Sequence, residues 1–243
     1  MDQKTTKRTT DETPMLRLVK GAEEAFLSGR RKKQADVESA VGIFLEMLRG
    51  FELFEVPDPC VTVFGSARIK DGHPYYKMTR DLGVKLANEG FAVMTGGGPG
   101  LMEAANRGGK EAGGYSAGCS ITLPQEQTTN AYLDSYVEFE HFFVRKVMLI
   151  KYSCAFVIMP GGFGTLDEAF EIATLVQTSK LSRFPIVLMG RDFWGPVRDF
   201  VRGKMGDAKL IDEDDLAIVK LTDDVDEAVD WIIKGMRPRA AYP

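Results

Sequence analysis

A chain of 243 residues, 44% hydrophobic and 27% charged, has room for one large α/β domain with an appendage and the composition of a globular protein. Its net charge of −4 argues against a general nucleic-acid binder, and no run approaches the roughly twenty apolar residues of a membrane span. The polar start Met1-Asp2-Gln3-Lys4 lacks the apolar core of a secretory signal, so a cytoplasmic protein with no membrane and no nucleic-acid partner is expected.

Residues 1–13 are polar, without hydrophobic period, and are expected to fray. Residues 14–56 read as a helical extension, with Leu16, Val19, Ala22 and Phe26 on one stripe and Val37, Ala40, Val41, Phe44, Leu45 and Leu48 on another. Those stripes need burial against the core or a partner, because isolated amphipathic helices are marginal. The basic run Arg30-Arg31-Lys32-Lys33 reads as a solvated helix end. Val56-Pro57-Asp58-Pro59 closes the extension, residues 57–236 form the main domain, and 237–243 are a tail.

In the main domain, strand-like and helix-like runs alternate. Strands are expected at Val61–Phe64, Phe91–Met94, Tyr115–Ile121, Tyr136–Phe139, Ala155–Met159, Pro185–Met189 and Leu216–Leu221. Helices are expected at Tyr75–Ala87, Leu101–Glu111, Phe142–Lys151, Thr165–Gln177, Phe193–Lys204 and Val225–Lys234. This rhythm predicts a Rossmann-like, doubly wound and mainly parallel sheet with helices on both faces. Cys60, Cys119 and Cys154 lie in or beside apolar runs and read as buried reduced thiols.

Two glycine-rich turns carry the most information: Gly96-Gly97-Gly98-Pro99-Gly100 and Pro160-Gly161-Gly162-Phe163-Gly164-Thr165. Each joins a strand to a helix, where glycine admits close backbone approach and the first helical amides face an anion along the dipole. Neither is a standard nucleotide fingerprint. The first lacks the last glycine of GxGxxG, and the second has no following Gly-Lys-Ser/Thr, which argues against a P-loop ATPase. Ser120 and Ile121 end the third strand without the acid a dinucleotide site offers its ribose, so NAD binding loses support.

Asp167, Glu168 and Glu171 fall in the first turns of the helix after the second glycine turn, where they either complement the dipole or act on a ligand. Glu168 and Glu171 share a face, and Asp167 is expected to point elsewhere. Arg145 and Lys146 sit in an apolar helix; the arginine either snorkels or faces a phosphate or carboxylate. His73 and His141 have no partners at metal-ligand spacing, so no metal site is indicated.

Together, Gly96-Gly97-Gly98-Pro99-Gly100-Leu101-Met102, Arg145-Lys146-Val147-Met148 and Pro160-Gly161-Gly162-Phe163-Gly164-Thr165-Leu166-Asp167-Glu168 resemble the LONELY GUY (LOG) family of cytokinin-activating phosphoribohydrolases, many once labelled possible lysine decarboxylases. The resemblance runs from about Val61 to Trp194, and the extension before Pro57 is similar to that of longer bacterial members. It implies hydrolysis of the N-glycosidic bond of a purine or cytokinin nucleoside 5′-monophosphate, giving free base and ribose 5-phosphate with no cofactor. It implies Arg145 and Glu168 as the catalytic pair, with Gly161, Gly162, Gly164 and Thr165 holding the 5′-phosphate. Ser66, Gly97, Gly98, Gly100 and Met102 would line the nucleotide pocket, Lys146 and Glu171 would support it, and a homodimer is the minimum assembly. A non-catalytic nucleotide sensor or carrier using the same crevice is the alternative. Decarboxylation is disfavoured, because no lysine sits in a recognisable pyridoxal phosphate setting.

Overall fold

The computed structural model describes residues 7–8, 20–123, 128–181 and 184–236. The expected tail 237–243, most of the tail 1–13, and Leu16 and Val19 of the first stripe lie outside them. In chain order the elements are β1 (Lys7–Arg8), α1 (Ala22–Leu27), α2 (Lys33–Leu53), β2 (Cys60–Phe64), α3 (Pro74–Asn88) and β3 (Ala92–Thr95). They continue with α4 (Leu101–Glu111), β4 (Ser116–Ile121), β5 (Ser135–Phe139), α5 (Phe142–Lys151), β6 (Ala155–Ile158) and α6 (Phe163–Gln177). The chain then runs through β7 (Ile186–Met189), α7 (Arg191–Phe200), β8 (Val219–Thr222) and α8 (Val225–Gly235).

All strands are parallel, in the order β1-β5-β4-β3-β2-β6-β7-β8. From β2 the chain winds outward through β3, β4 and β5, then returns to place β6 on the other side of β2. The doubly wound reading is therefore correct, and its switch point lies between β2 and β6. Helices cover both faces, so the strands read as continuous apolar runs rather than alternating ones. Val61 and Val63 face one core with α3, α4 and α8, whereas Cys60 and Phe64 face another with α5 and α6. Where α3 crosses α4 the backbones touch: a Cβ on Gly83 would sit 2.3 Å from the Ala105 carbonyl oxygen.

Several elements depart from expectation for identifiable reasons. Helix α6 starts at Phe163, two residues early, because Gly162 serves as its N-cap; Asp167 and Glu168 consequently lie beyond its first turn. The strand expected from Leu216 begins at Val219, because Asp212 and Asp215 exchange side-chain and backbone bonds in a capping box that starts a 3₁₀ turn, Glu213–Ala217. The helix expected to reach Lys204 contains Pro196 and passes at Val201–Met205 into a π-helical turn. Cys154 is half-buried, unlike the buried Cys60 and Cys119, and its Sγ lies 3.0 Å from the Cys60 carbonyl oxygen.

The extension is helical, and it meets the rest of the protein through Ile43, Met47 and Leu53, packed on the core, and through buried polar groups. Buried on α2 are Glu46, Arg49 and Gly50. Glu46 Oε1 accepts the backbone amides of Glu140 and His141 at 2.7 and 3.1 Å, and Oε2 lies 2.5 Å from His141 Nδ1. Glu23 of α1 accepts the Phe142 amide at 3.1 Å, Glu140 accepts the Gly21 amide at 3.1 Å, and Arg49 donates to the Glu138 carbonyl. The extension thus caps α5 with carboxylates, satisfying amides that open a helix and complementing its dipole. By contrast Val37, Val41, Phe44 and Leu48 are exposed, so the second stripe is not buried in the protomer's core as one reading of the sequence required.

Replacing Glu46 by alanine would strand the Glu140 and His141 amides and the His141 ring. At about 1–3 kcal/mol per orphaned buried group, Glu46→Ala is expected to cost roughly 3 kcal/mol or more in chemical denaturation. Glu46→Gln, which keeps an acceptor oxygen, is expected to cost clearly less.

Candidate functional site

At the carboxyl ends of β2, β3, β4 and β6 lies a cleft of about 690 Å³. It straddles the switch point, which the chain closes by bonding the two strand ends together: the Met159 amide donates to the Phe64 carbonyl at 2.8 Å, and the Ser66 amide to the Pro160 carbonyl at 3.0 Å. Ser66, Met102, Arg145, Gly162, Gly164, Thr165 and Glu168 all line it. Gly97, Gly98, Gly100, Gly161, Lys146 and Glu171 are not among the lining residues.

The two glycine turns do different things. In the first, the Leu101 amide that opens α4 donates to the Ser66 carbonyl at 2.9 Å, so the protein itself takes that bond. Gly100 has φ +72°, and a Cβ there would sit 2.5 Å from the Ser66 carbonyl oxygen; glycine is needed for both reasons. The turn is pinned from behind by buried Asn130, whose amide donates to the Gly97 carbonyl at 2.9 Å and whose Nδ2 donates to the Gly98 carbonyl at 3.0 Å. This turn shapes one wall.

In the second turn, Gly162 and Gly164 are exposed with open space where a Cβ would stand. The Thr165 and Leu166 amides both donate to the Gly162 carbonyl at 3.0 Å, whereas the Phe163 and Gly164 amides have no partner among the described residues. Unpartnered amides at the start of a 15-residue helix form an anion-binding end. Gly161 acts behind them: a Cβ there would collide with Thr165 Oγ1 at 2.1 Å, so glycine lets the threonine fold back against the turn.

Charge reaches the cleft from α5 and α6. Arg145 Nε donates to the Cys119 carbonyl at the end of β4, at 2.8 Å, and Gly96 makes room for its Nη2, which a Cβ would approach to 2.6 Å. The guanidinium is therefore fixed rather than snorkelling. Glu168 is buried, and its Oε2 has no hydrogen-bond partner among the described residues. Burial pushes its carboxyl up to about 7, although the positive charges of Arg145 and Lys146 pull it down. No ion pair joins Arg145 to Glu168 among the described residues, so their coupling is through space.

Lys146 is engaged elsewhere. Its Nζ lies 2.6 Å from Asp167 Oδ2 and 2.8 Å from Glu171 Oε2. Burial disfavours its charge, but those two carboxylates outweigh it and hold the ammonium above its usual range. Asp167 and Glu171, four apart, thus share one cation, correcting the expectation that Asp167 points away from Glu171. The triad clips α5 to α6 beside the cleft, which two carboxylates line, Asp167 exposed and bound to Lys146 and Glu168 buried.

Some lining residues were not singled out from the sequence. Arg68 is exposed at the cleft, and its amide donates to Ser66 Oγ at 3.1 Å; a cation in the loop after a strand's carboxyl end was the available signal. Phe142 lines the cleft as the first residue of α5. Asn130 could not be found, because its role depends on contacts with Gly97, Gly98 and Asn106 that lie far away in the chain. His73 caps α3, accepting the Tyr75 amide at 3.1 Å, and His141 serves the α5 cap. Among the described residues no group of three or more His, Cys, Asp or Glu is disposed to hold a metal, and no helix is long and apolar enough to cross a membrane.

Residues 102–232 match the family model described as "possible lysine decarboxylase". Over 130 residues the chain is 27% identical to the cytokinin riboside 5′-monophosphate phosphoribohydrolase LOG of Oryza sativa subsp. japonica, covering 52% of this chain and 53% of that one. It is 25% identical over 145 residues to the cytokinin riboside 5′-monophosphate phosphoribohydrolase of Rhodococcoides fascians, covering 58% and 73%. The matched part spans about half the length of the rice relative. In fold, the chain is similar to the molybdenum cofactor binding protein of Rippkaea orientalis, with a TM-score of 0.53 and 22% identity over 74% of this chain and 98% of that one. With more than half of its length under that model and named LOG enzymes among its relatives, the chain belongs to the LOG (possible lysine decarboxylase) family.

Proposed function

We propose that the cleft hydrolyses the N-glycosidic bond of a purine or cytokinin nucleoside 5′-monophosphate, releasing the base and ribose 5-phosphate, in a protein that works in the cytoplasm as at least a homodimer. The observation that carries this reading is a buried, unpartnered carboxylate, Glu168, in the same cleft as the unpartnered amides of Phe163 and Gly164. The 5′-phosphate sits on those amides with Thr165 beside it. Glu168 follows about 7 Å along the helix axis, a separation that the ribose bridges. The phosphate contacts hold the sugar against the carboxylate, so binding energy remote from C1′ is used for positioning.

As the C1′–N bond lengthens, positive charge builds on the ribose. The ionised Glu168 stabilises that charge and takes a proton from the attacking water, whose oxygen bonds to C1′ while the base leaves with the bonding electrons and gains a proton. Arg145, locked to the Cys119 carbonyl, favours the ionised form of Glu168 and faces the anionic nucleotide. Met102, Ser66 and Gly96 enclose the nucleotide, with Gly97, Gly98 and Gly100 shaping the turn behind them, and Lys146 with Glu171 keeps α5 and α6 in register. A pyridoxal-dependent lysine decarboxylase would require a lysine amine in the cleft for its Schiff base; among the described residues none lines it, and Lys146 is held by two carboxylates.

Incubation with AMP and with isopentenyladenosine 5′-monophosphate is expected to release base and ribose 5-phosphate in chromatographic assays. Glu168→Gln is expected to lose about 100- to 10,000-fold in turnover while still binding nucleotide in calorimetry. Tight binding without turnover by the wild-type protein would instead select the carrier reading.

Because the carboxylate must be ionised, and burial sets its titration at about 7, kcat/KM is expected to rise with pH and level off above that value. A flat profile between pH 5.5 and 8 would remove Glu168 from the chemistry.

The same shift has a stability consequence of definite sign. A carboxyl titrating at about 7 when folded and near 4.5 when unfolded contributes stability below 4.5 that is lost as pH rises through 7. Glu168→Gln is therefore expected to be the more stable protein at pH 8, by on the order of 1–3 kcal/mol, with the advantage shrinking towards pH 4.5.

A further inference from the structure

The loop that follows β2 lies between the two glycine turns. The Ser66 amide donates to the Pro160 carbonyl, which leads into the second turn, and the Ser66 carbonyl accepts the Leu101 amide that follows the first. Ala67 packs so closely on the first turn that a Cβ on Gly100 would stand 2.7 Å from its carbonyl carbon. The Arg68 amide then donates to Ser66 Oγ at 3.1 Å, which folds the backbone back at the cleft. Arg68 is thus fixed through its main chain, while its side chain is exposed and its guanidinium has no ion pair or hydrogen bond among the described residues.

Four charged residues line the cleft, namely Arg68, Arg145, Asp167 and Glu168. Three of them are committed. Arg145 is bonded to the Cys119 carbonyl and its charge acts on Glu168, and Asp167 is bound to Lys146. Arg68 is the fourth. A phosphate monoester carries about −1.5 to −2 charges at neutral pH, whereas the start of a helix offers roughly half a positive charge. The Phe163 and Gly164 amides therefore leave about one unit or more of negative charge uncompensated, in a cleft that already holds two carboxylates.

We propose that Arg68 is a substrate-binding residue that closes on the 5′-phosphate from the β2 side and sets the preference for a nucleotide over its nucleoside. Ser66, two residues before it, is one hydrogen bond from Pro160, and the open amides of Phe163 and Gly164 follow directly in that turn. A guanidinium suits the role, because its planar fork places two parallel N–H···O bonds on a phosphate and its charge persists at every working pH. Having no ion pair within the described protein, it has none to break on binding. The assignment rests on reading the cleft as a 5′-monophosphate site, but not on its catalysing hydrolysis.

Calorimetry with AMP tests it, in the Glu168→Gln background so that nucleotide is not consumed and with ribose 5-phosphate as competitor. Adding Arg68→Gln is expected to weaken AMP binding about 10- to 100-fold, the loss of a charge-assisted bidentate contact, and to weaken ribose 5-phosphate by the same factor. The thermal midpoint is expected to stay unchanged, because the side chain is exposed. Arg68→Lys, which keeps the charge without the fork, is expected to recover at least threefold of the loss. A loss below tenfold overturns the proposal, as does a loss confined to AMP, which would put Arg68 on the base, or an Arg68→Lys protein no better than Arg68→Gln. The two readings fail separately. AMP binding that survives Arg68→Gln leaves the 5′-monophosphate site standing without Arg68, whereas a protein with Arg68 intact that binds neither AMP nor ribose 5-phosphate removes the site and the role of Arg68 with it.

Discussion

The carboxylate of Glu46 sets the position of the helix on which the rest of the cleft depends. It is buried, it binds the amides of Glu140 and His141 together with the His141 ring, and those are the groups that lead into α5. A charge at this point is favoured by the helix dipole and by desolvated, well-aligned donors. The close approach that this bonding requires is supplied by Gly50, where a Cβ would stand 2.7 Å from Met148 Cε of α5. One turn past this cap come Arg145, which reaches the Cys119 carbonyl, and Lys146, which reaches across to α6. The orientation of the charges beside the cleft is therefore governed by helices that lie outside the sheet and precede it in the chain.

Within that frame, the carboxylates are treated unequally. Glu46 is fully engaged, and Asp167 and Glu171 share Lys146, but Glu168 is buried with an oxygen that no described residue bonds. An unsatisfied buried acceptor is costly, so a stable fold does not leave one without compensation. The Lys146 clip shapes its surroundings: the ammonium is bonded to the flanking acids, and Glu168 feels Arg145 and Lys146 through space without an ion pair to either among the described residues. The result is a carboxyl balanced near neutrality, the condition in which a group can both stabilise positive charge and exchange a proton.

Much of this was legible in the sequence. The βα rhythm predicts the doubly wound sheet, and the limits of α4 and α5 agree with their apolar periodicity to the residue, because each has an unambiguous start and stop. Gly162, Gly164, Thr165, Arg145 and Glu168 stand together because each follows the carboxyl end of a parallel strand or opens the helix beside it, which local pattern encodes. What was not legible depends on tertiary partners. The early start of α6 follows from Gly162 accepting two amides, the sharing of Lys146 from the approach of α5 to α6, and the rigidity of the first glycine turn from Asn130. The hydrophobic period of α2 was evident, but which face turns inward was not, since Glu46 and Arg49 are buried only by virtue of the amide and carbonyl groups they meet.

The mixed inward face of α2 bears on how the parts are coupled. The inward face of α2 joins Ile43, Met47 and Leu53, packed on the core, to the buried Glu46, Arg49 and Gly50, so a displacement of this helix is transmitted through a backbone that also carries Glu46 and Gly50. Close-packed interfaces shift between discrete arrangements rather than deforming smoothly. Displacing α2 by even a fraction of a hydrogen-bond length would loosen the amides of Glu140 and His141 before it disturbed the sheet, because the 2.7 and 3.1 Å bonds to Glu46 tie α2 to α5, whereas the strands are held by their own ladder. The first consequence would fall on Arg145 and, through its charge, on the protonation of Glu168. The extension and the cleft are thus mechanically adjacent although α2 contributes no residue to the lining: the path between them is one helix, one carboxylate and one helix cap.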